Sequence, residues 1–365
     1  MGSDRCFDTN RLELAYRLLA EAVQQRIVPG AVALVGVDTE WLPFYVTGRA
    51  VSTNRRKIDA RPDTIYDLAS LTKVVATLPA VLMLTQEGVA DPQATVSDVF
   101  CEWGGDDRKA AITLQHLLTH TSGLPAHRDF YSHGWSPEEI VQRVLATPLD
   151  AAPGSRMTYS DLGYILLGEW VRRVTGETLD AFVHRRLYEP LGMADTMFRP
   201  SGALRKRTAA GARGQRRNQW GQVNDDNAHA LGGVSGHAGL YSTADDLARY
   251  LDACWLPWRP SLDGPLSLAV VRSALWDYTA PLGAHRGWGW TLKSDPWDAS
   301  GSLMYGSAFG HTGYTGTSIW VDPARKLKII LLTNRVHLGL GPGIIGLRRR
   351  FHNVVVAAYK GEVAP

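Results

Sequence analysis

Apolar positions near the start of the chain change from helical to strand spacing. Between residues 11 and 26 they recur every three or four positions, as in an amphipathic helix, and Pro29-Gly30 ends the pattern. Residues 31–37 form a Val-rich run typical of a buried strand, and residues 42–48 are its expected hairpin partner. The apolar run 74–84 predicts a helix that begins near Ser70 and contains Pro79, which we expect to kink its axis.

The middle of the chain, from about residue 90 to residue 234, shows helical spacing interrupted by long loops. The pattern predicts helices over residues 112–118, 137–146, 162–175 and 179–187. Residues 202–227 are polar and basic, and we expect them to form a long surface loop.

Glycine becomes frequent from Gly232 onward, and strand patterns return after it. A helix is predicted over residues 244–254 and a closing helix over residues 344–359. Strands are predicted over residues 288–290, 318–321 and 328–333, with a turn at residues 322–325 between the last two.

This order of elements predicts an α+β fold. We expect an antiparallel sheet flanked by the N-terminal and C-terminal helices, with an inserted all-helical lobe. Residues 1–68 and 235–365 would form the lobe that holds the sheet, and residues 69–234 the helical lobe. The active site would then lie in the cleft between the two lobes.

Composition and charge fit a globular protein with a large core. The 365 residues are 45% hydrophobic and 21% charged, and the formal net charge of +3 is too small to indicate nucleic-acid binding. Four basic runs are short and scattered, so we interpret them as solvated faces: Arg55-Arg56-Lys57, Arg205-Lys206-Arg207, Arg216-Arg217 and Arg348-Arg349-Arg350.

Cysteine usage and hydropathy bear on the compartment. Cys6, Cys101 and Cys254 are far apart and form no C-x-x-C pair, which indicates neither a disulfide framework nor a zinc site. The N-terminus lacks an apolar export signal, and we find no run of about 18 apolar residues. We therefore expect no membrane span and a cytoplasmic location unless a leader has been removed. Oligomeric state stays open.

Ser70 and Lys73 stand three residues apart where the apolar helix begins. That spacing places both side chains on one face, with Cβ atoms roughly 5–6 Å apart. A lysine can take the proton of a serine if burial or nearby positive charge lowers the pKa of the lysine. Ser70 is therefore the candidate nucleophile and Lys73 its partner.

Two later stretches hold further candidate catalytic groups. Tyr159, in the loop before a helix, can act as a general acid or base beside cations, and Asp161 follows it. In the second stretch, Phe309 to Gly316, small residues would let a substrate lie against a strand edge. The backbone N–H groups of Tyr314 and Ser70 could form an oxyanion hole there.

These stretches resemble the penicillin-recognising serine hydrolases. Three motifs carry the resemblance in the order and spacing of that family: Ser70-Leu71-Thr72-Lys73, Tyr159-Ser160-Asp161 and His311-Thr312-Gly313. The similarity is to the branch of class C β-lactamases, D,D-carboxypeptidases and related esterases. Supporting stretches at residues 117–124, 153–154, 190–193 and 236–243 extend it over nearly the whole chain.

The resemblance implies an acyl-enzyme mechanism without metal or cofactor. Ser70 would attack a carbonyl, the amides of Ser70 and Tyr314 would hold the oxyanion, and Lys73 and Tyr159 would move the protons. Which of these two side chains takes the serine proton is left open. Asp161, His311, Thr312 and Gly313 would contact the substrate.

Two positions depart from the family pattern. Asp161 replaces the usual asparagine, and a carboxylate can only accept hydrogen bonds; it would keep Lys73 charged and repel a substrate carboxylate. His311 replaces the usual lysine, and its hold on a carboxylate would weaken above an ordinary pKa of about 6.5. This pattern is closer to D,D-peptidases than to efficient β-lactamases.

We therefore expect a serine hydrolase that acts on a peptide, amide or ester carbonyl of a small-molecule or peptide substrate. A β-lactamase is the alternative, and a non-catalytic penicillin-fold binding protein is the alternative of another class. Retention of Ser70, Lys73 and Tyr159 disfavours the last.

Several other residues favour structural roles. We expect Trp255, Trp258, Trp288 and Trp290 to pack in the core rather than to line the substrate site. His237 should satisfy loop carbonyls, and His120 should stabilise a turn. Residues 225–229 have metal-ligand side chains but no metal-site spacing, so we expect a solvated turn.

Overall fold

Two antiparallel sheets run through residues 6–212, 220–259 and 264–361, the part of the chain that the computed structural model describes. The strands are β1 (Gly30–Val37), β2 (Glu40–Trp41), β3 (Tyr45–Ser52), β4 (Lys57–Asp59), β5 (Tyr66–Asp67), β6 (Met197–Phe198), β7 (Leu240–Ser242), β8 (Thr291–Leu292), β9 (Phe309–Thr312), β10 (Ser318–Asp322) and β11 (Leu327–Thr333). The α-helices are α1 (Thr9–Gln24), α2 (Leu78–Gln86), α3 (Asp107–Ala110), α4 (Leu114–Leu118), α5 (Pro137–Ala146), α6 (Asp161–Thr175), α7 (Leu179–Val183), α8 (Gly202–Arg205), α9 (Asp226–Ala230), α10 (Ala244–Cys254), α11 (Leu268–Ala274) and α12 (Ile344–Ala358).

The larger sheet has the order β4-β3-β1-β11-β10-β9-β8, with β2 paired to β1. The sheet is covered on both faces, which explains why β1 is apolar at nearly every position rather than alternating. Val32 and Leu34 pack into the core shared with the helical part of the chain, whereas Ala31 and Ala33 pack under α1 and α12. The predicted α+β fold, with an antiparallel sheet flanked by terminal helices, is confirmed.

The helix that follows β5 changes its winding twice. Ala69–Leu71 is a 3₁₀ turn, Lys73–Thr77 is a π turn, and α2 begins at Leu78 with Pro79 in its first turn. Pro79 has no N–H to donate, and the carbonyl of Val75 four residues earlier accepts a 3.1 Å hydrogen bond from the Tyr188 hydroxyl. The Tyr250 hydroxyl similarly donates to the Val74 carbonyl. The distortion expected at Pro79 thus takes the form of a change from π-helix to α-helix one turn after Lys73.

Glycine lets the loop before β7 lie directly on α6. A Cβ atom on Gly236 would sit 2.0 Å from the Tyr164 carbonyl oxygen and 2.9 Å from the Gly168 nitrogen. No other residue fits at this crossing, and the close approach brings the carbonyl of the next residue, His237, within hydrogen-bond distance of Lys73.

Several predicted elements differ from the structure. The strand predicted at 288–290 is wrong: β8 begins at Thr291, because Gly289 has a φ of +75° and turns the chain. The hairpin partner of β1 is β3, displaced toward the C-terminus, with β2 between them. The helical segment also contributes β6, which pairs with β7. The boundaries predicted between the two lobes, after residue 68 and after residue 234, remain a prediction.

The surface loop predicted at 202–227 is wrong in part. It contains α8, and α9 begins at its end, while Thr208, Ala209 and Val223 are buried. The basic pair Arg216-Arg217 lies outside the described residues.

One helical stretch, residues 69–86, is long and apolar enough to cross a membrane, and 83% of it is buried inside the protein. The sequence of this stretch is not an unbroken apolar run, since Ser70, Lys73 and three threonines interrupt it. The burial is that of a core helix.

Candidate active site

Ser70 lies in a strained turn directly after β5. Its neighbour Ala69 has a φ of +48°, a left-handed conformation that is uncommon for a residue with a side chain. Asp67 accepts a 2.8 Å hydrogen bond from the Ala69 amide, and the Thr72 hydroxyl donates to the Ala69 carbonyl at 2.6 Å. These bonds hold the turn that presents the half-buried Ser70 side chain.

Lys73 is the buried centre of the site. Its ammonium donates to Ser70 Oγ at 3.1 Å, to Asp161 Oδ1 at 2.8 Å and to the carbonyl oxygen of His237 at 3.0 Å. The side chain is 0% exposed. Burial lowers the pKa of Lys73, but Asp161 and Tyr159 more than offset that effect and leave the pKa above its usual value. Lys73 therefore stays charged, which is the opposite of what a neutral lysine base requires.

A second carboxylate lies behind this ion pair. Asp225 caps α9 and bonds His237 Nε2 at 2.9 Å, and Ser235 lies 2.8 Å from His237 Nδ1. Burial raises the pKa of Asp225, but His237 reverses this and holds the pKa well below its usual range. Side-chain oxygen or nitrogen atoms of Asp161, Asp225 and His237 lie within 4.8 Å of one another, and Lys73 donates to Asp161.

Tyr159 is positioned by His120. The His120 carbonyl accepts from the Thr158 amide at 2.9 Å, and its Nδ1 accepts from the Ser160 amide at 3.0 Å, so both neighbours of Tyr159 are held. The two rings lie 4.4 Å apart. The Lys73 ammonium lies 5.0 Å from the centre of the Tyr159 ring, within cation–π distance. The turn-stabilising role expected of His120 is confirmed, and it bears directly on the site.

The loop that carries Tyr314 is bonded to the chain just before Ser70. Thr315 Oγ1 donates to the Asp67 carbonyl at 2.7 Å, and Thr317 Oγ1 donates to the Leu68 carbonyl at 3.1 Å. A Cβ atom on Gly313 would sit 2.3 Å from the Leu68 oxygen, so only glycine fits. Among the described residues, no backbone carbonyl accepts a hydrogen bond from the amide of Ser70 or from that of Tyr314.

The His311 motif lies at the end of β9. His311 is buried on β9 and Thr312 ends it, with Gly313 one residue beyond. Burial, with the charges of Arg286 and Lys73, lowers the pKa of His311 well below its usual value. His311 is thus neutral near pH 7, and a charge-based hold on a substrate carboxylate there is not supported.

Sequence reasoning missed Arg286 and Trp297. The buried Arg286 guanidinium lies 5.6 Å from the Tyr159 ring centre and is paired with Asp295 at 3.0 Å. Trp297 is 65% exposed, and its ring lies 6.2 Å from that of Tyr159. Neither residue stands in a motif, so only the fold reveals them.

Other expectations have mixed outcomes. Trp255 and Trp290 are fully buried with ring centres 4.9 Å apart, so the core role predicted for them is confirmed. The solvated turn predicted at 225–229 is wrong for Asp225, described above, and for Asn227, which is buried. The solvated face predicted for the last basic run is wrong for Arg348, whose side chain is 5% exposed.

Comparison with known proteins places this geometry in a family. A family model described as beta-lactamase matches residues 16–347. The chain belongs to the beta-lactamase family. This is a family of serine hydrolases on the fold shared with penicillin-binding proteins, which confirms the resemblance inferred from the three motifs.

Individual relatives within the family carry different names. A putative D-alanyl-D-alanine carboxypeptidase of Escherichia coli O157:H7 is 30% identical, over 91% of this chain and 84% of that protein. An N-acetylmuramyl-L-alanine amidase of Bacillus subtilis (strain 168) is 32% identical, over 91% and 82%. The solved structure of EstCE1, a hydrolase with promiscuous acyltransferase activity, has a TM-score of 0.76 at 21% identity and covers 95% of this chain and 99% of its own. That likeness concerns the fold.

We expect buried histidines to make the protein less stable in mild acid. Burial lowers the pKa of His352 to about 4, and it lowers the pKa values of His120 and His311 too. As the pH falls below about 6.5, the unfolded chain takes up protons that the folded protein excludes, so the free energy of unfolding decreases. Between pH 7.5 and 5.5 the wild type should lose about 1 kcal/mol more than His352→Asn, measured by urea unfolding.

Asp246, whose pKa burial raises to about 6, acts in the opposite direction below pH 6 but is common to both proteins. His127→Asn, at an exposed position, serves as the control and should keep the wild-type slope. If the free energy of unfolding depends on pH equally in the wild type and in His352→Asn, the lowered pKa of His352 is contradicted.

Proposed function

We propose that this protein hydrolyses a peptide, amide or ester carbonyl through a covalent acyl-enzyme on Ser70. The observation that carries the proposal is the Lys73 ammonium, which donates to Ser70 Oγ at 3.1 Å and lies over the Tyr159 ring at 5.0 Å. The hydroxyl and the ammonium, three residues apart, thus lie close to the ring of a tyrosine from a distant part of the sequence.

The charge state of Lys73 favours Tyr159 as the group that takes the serine proton. A lysine with a raised pKa has no free electron pair at neutral pH, so the proton is left to the oxygen of Tyr159, whose ring lies beside the ammonium. Ser70 Oγ would attack the carbonyl carbon while its proton passes to the Tyr159 oxygen. Tyr159 would then protonate the leaving group, and water would release the acyl group by the reverse sequence.

Substrate class is proposed from the relatives and from the rim of the cleft. The carboxypeptidase and amidase names support an amide carbonyl, and EstCE1 supports an ester or acyl-transfer reaction. The exposed rings of Trp297 and Tyr314 favour an apolar group on the substrate. A D,D-peptidase-like or esterase-like enzyme therefore fits better than a β-lactamase or a binding protein without turnover.

The direct test of the proposed function is covalent labelling. A fluorophosphonate should add one probe mass per protein, on the tryptic peptide that contains Ser70, and Ser70→Ala should abolish it. Ser122→Ala removes a buried hydroxyl elsewhere in the helical part and should leave labelling intact. Stoichiometric labelling of Ser70→Ala would move the nucleophile to another residue. A parallel panel of p-nitrophenyl esters, D-Ala-D-Ala peptides and a chromogenic cephalosporin would then rank substrates.

The β-lactamase alternative rests on Asp161. An asparagine there could donate to a substrate carbonyl and would not repel a carboxylate, so Asp161→Asn should raise the rate of cephalosporin hydrolysis by about tenfold or more. The ion pair to Lys73 is lost, so thermal melting should confirm folding first. Unchanged cephalosporin turnover in the folded variant would mean that pocket shape, not the charge, excludes β-lactams.

A further inference from the structure

Arg348 is a buried cation whose role the proposed mechanism leaves unexplained. It projects from α12, and its Nη2 donates to the Gly313 carbonyl at 2.8 Å and to the Thr317 carbonyl at 2.7 Å. No carboxylate pairs with it among the described residues, and its Nε has no partner there. Burial and the neighbouring Arg335 lower the pKa of Arg348 to about 9, so it stays charged near pH 7. Burying an unpaired charge destabilises a fold, so such a residue calls for a function.

The Gly313 carbonyl and the Tyr314 N–H belong to one peptide unit. That unit is trans, so its C=O and N–H point in opposite directions within one plane. A cation bonded to the oxygen fixes the plane and directs the N–H away from α12. Polarisation of the peptide by the charge also makes the N–H a stronger donor, as in chains of cooperative hydrogen bonds.

The second contact of Arg348 closes the loop at its far end. Arg348 Nη2 donates to the Thr317 carbonyl as well as to that of Gly313. The Thr317 carbonyl also accepts a hydrogen bond from the Gly313 amide at 2.8 Å. Arg335 bonds the Tyr314 carbonyl at 2.7 Å, which belongs to the next peptide unit. On the other side, Thr315 donates to the carbonyl three residues before Ser70 and Thr317 to the carbonyl two residues before it, as described above.

We infer that Arg348 is the positioning residue of the oxyanion hole: it orients and polarises the Gly313–Tyr314 peptide so that the Tyr314 N–H is aimed at the carbonyl oxygen that Ser70 attacks. This inference rests on the proposed function of Ser70. Arg348 touches the loop and not the substrate, so its effect should be confined to the step in which negative charge develops on the oxygen.

The test compares Arg348→Met and Arg348→Lys with Arg350→Met, a matched loss of one charge at an exposed position on the same helix. With a p-nitrophenyl ester, Arg348→Met should lower kcat about tenfold or more with little change in KM, because only the transition state carries the oxyanion. The kcat of Arg348→Lys should lie between those of the wild type and Arg348→Met. An ammonium keeps the charge but lacks the planar guanidinium whose Nη2 donates to both carbonyls. Arg350→Met should stay within about twofold of the wild type.

A transition-state analogue separates positioning from mere structural support. The inhibition constant of phenylboronic acid, which adds to the serine hydroxyl, should rise in proportion to the loss of kcat/KM across the series. Thermal melting of each variant checks folding. Should Arg348→Met not fold, Arg348→Lys decides alone by the same two readouts.

The outcomes distinguish the inference from the proposed function. A folded Arg348 variant with kcat and boronate affinity equal to those of Arg350→Met overturns the inference, as does a loss confined to KM. Turnover that persists in Ser70→Ala overturns the proposed function instead.

Discussion

The ammonium of Lys73 is the constraint on which the rest of the site depends. A charge with no solvent contact must be matched by oxygen atoms, and its three partners come from three separate parts of the chain. Ser70 lies one turn before it, Asp161 opens α6, and the His237 carbonyl follows the glycine loop that crosses α6. The strained turn at Ala69, the π turn and the glycines at residues 168 and 236 all serve to bring these partners within reach.

The same interaction sets the chemistry. Asp161 is the third position of the middle motif, and a carboxylate there fixes Lys73 as a cation. In the proposed mechanism, the oxygen of Tyr159 is then the group that would take the Ser70 proton. His120 and His311, both buried and neutral, shape the space around Tyr159 without adding charge. Positive charge in and around the site thus comes from Lys73, Arg286 and Arg348.

The sequence was sufficient where local patterns and motifs carry the information. The amphipathic and Val-rich runs located α1, β1 and α12 to within a few residues, and motif order pointed to Ser70, Lys73 and Tyr159. It was insufficient where tertiary contacts decide. The run at residues 288–290 is apolar enough for a strand, but a left-handed Gly289 diverts it. Arg348 stands in a basic run that looks solvated, and only the packing of α12 against the Gly313–Thr317 loop shows that it is buried. Arg286 and Trp297 approach Tyr159 from a segment with no motif, so no pattern in the sequence could reveal them.

The charge of Lys73 is the most direct test of this account. The chemical shift of the lysine Cε carbon changes when the amine loses its proton, so NMR of protein labelled with ¹³C-lysine can follow Lys73, assigned by comparison with Lys73→Arg. The account predicts that this signal stays that of an ammonium up to at least about pH 10, because the folded pKa lies above the usual 10.5. Loss of the proton near pH 7–8 would contradict it and would make Lys73, not Tyr159, the group that activates Ser70.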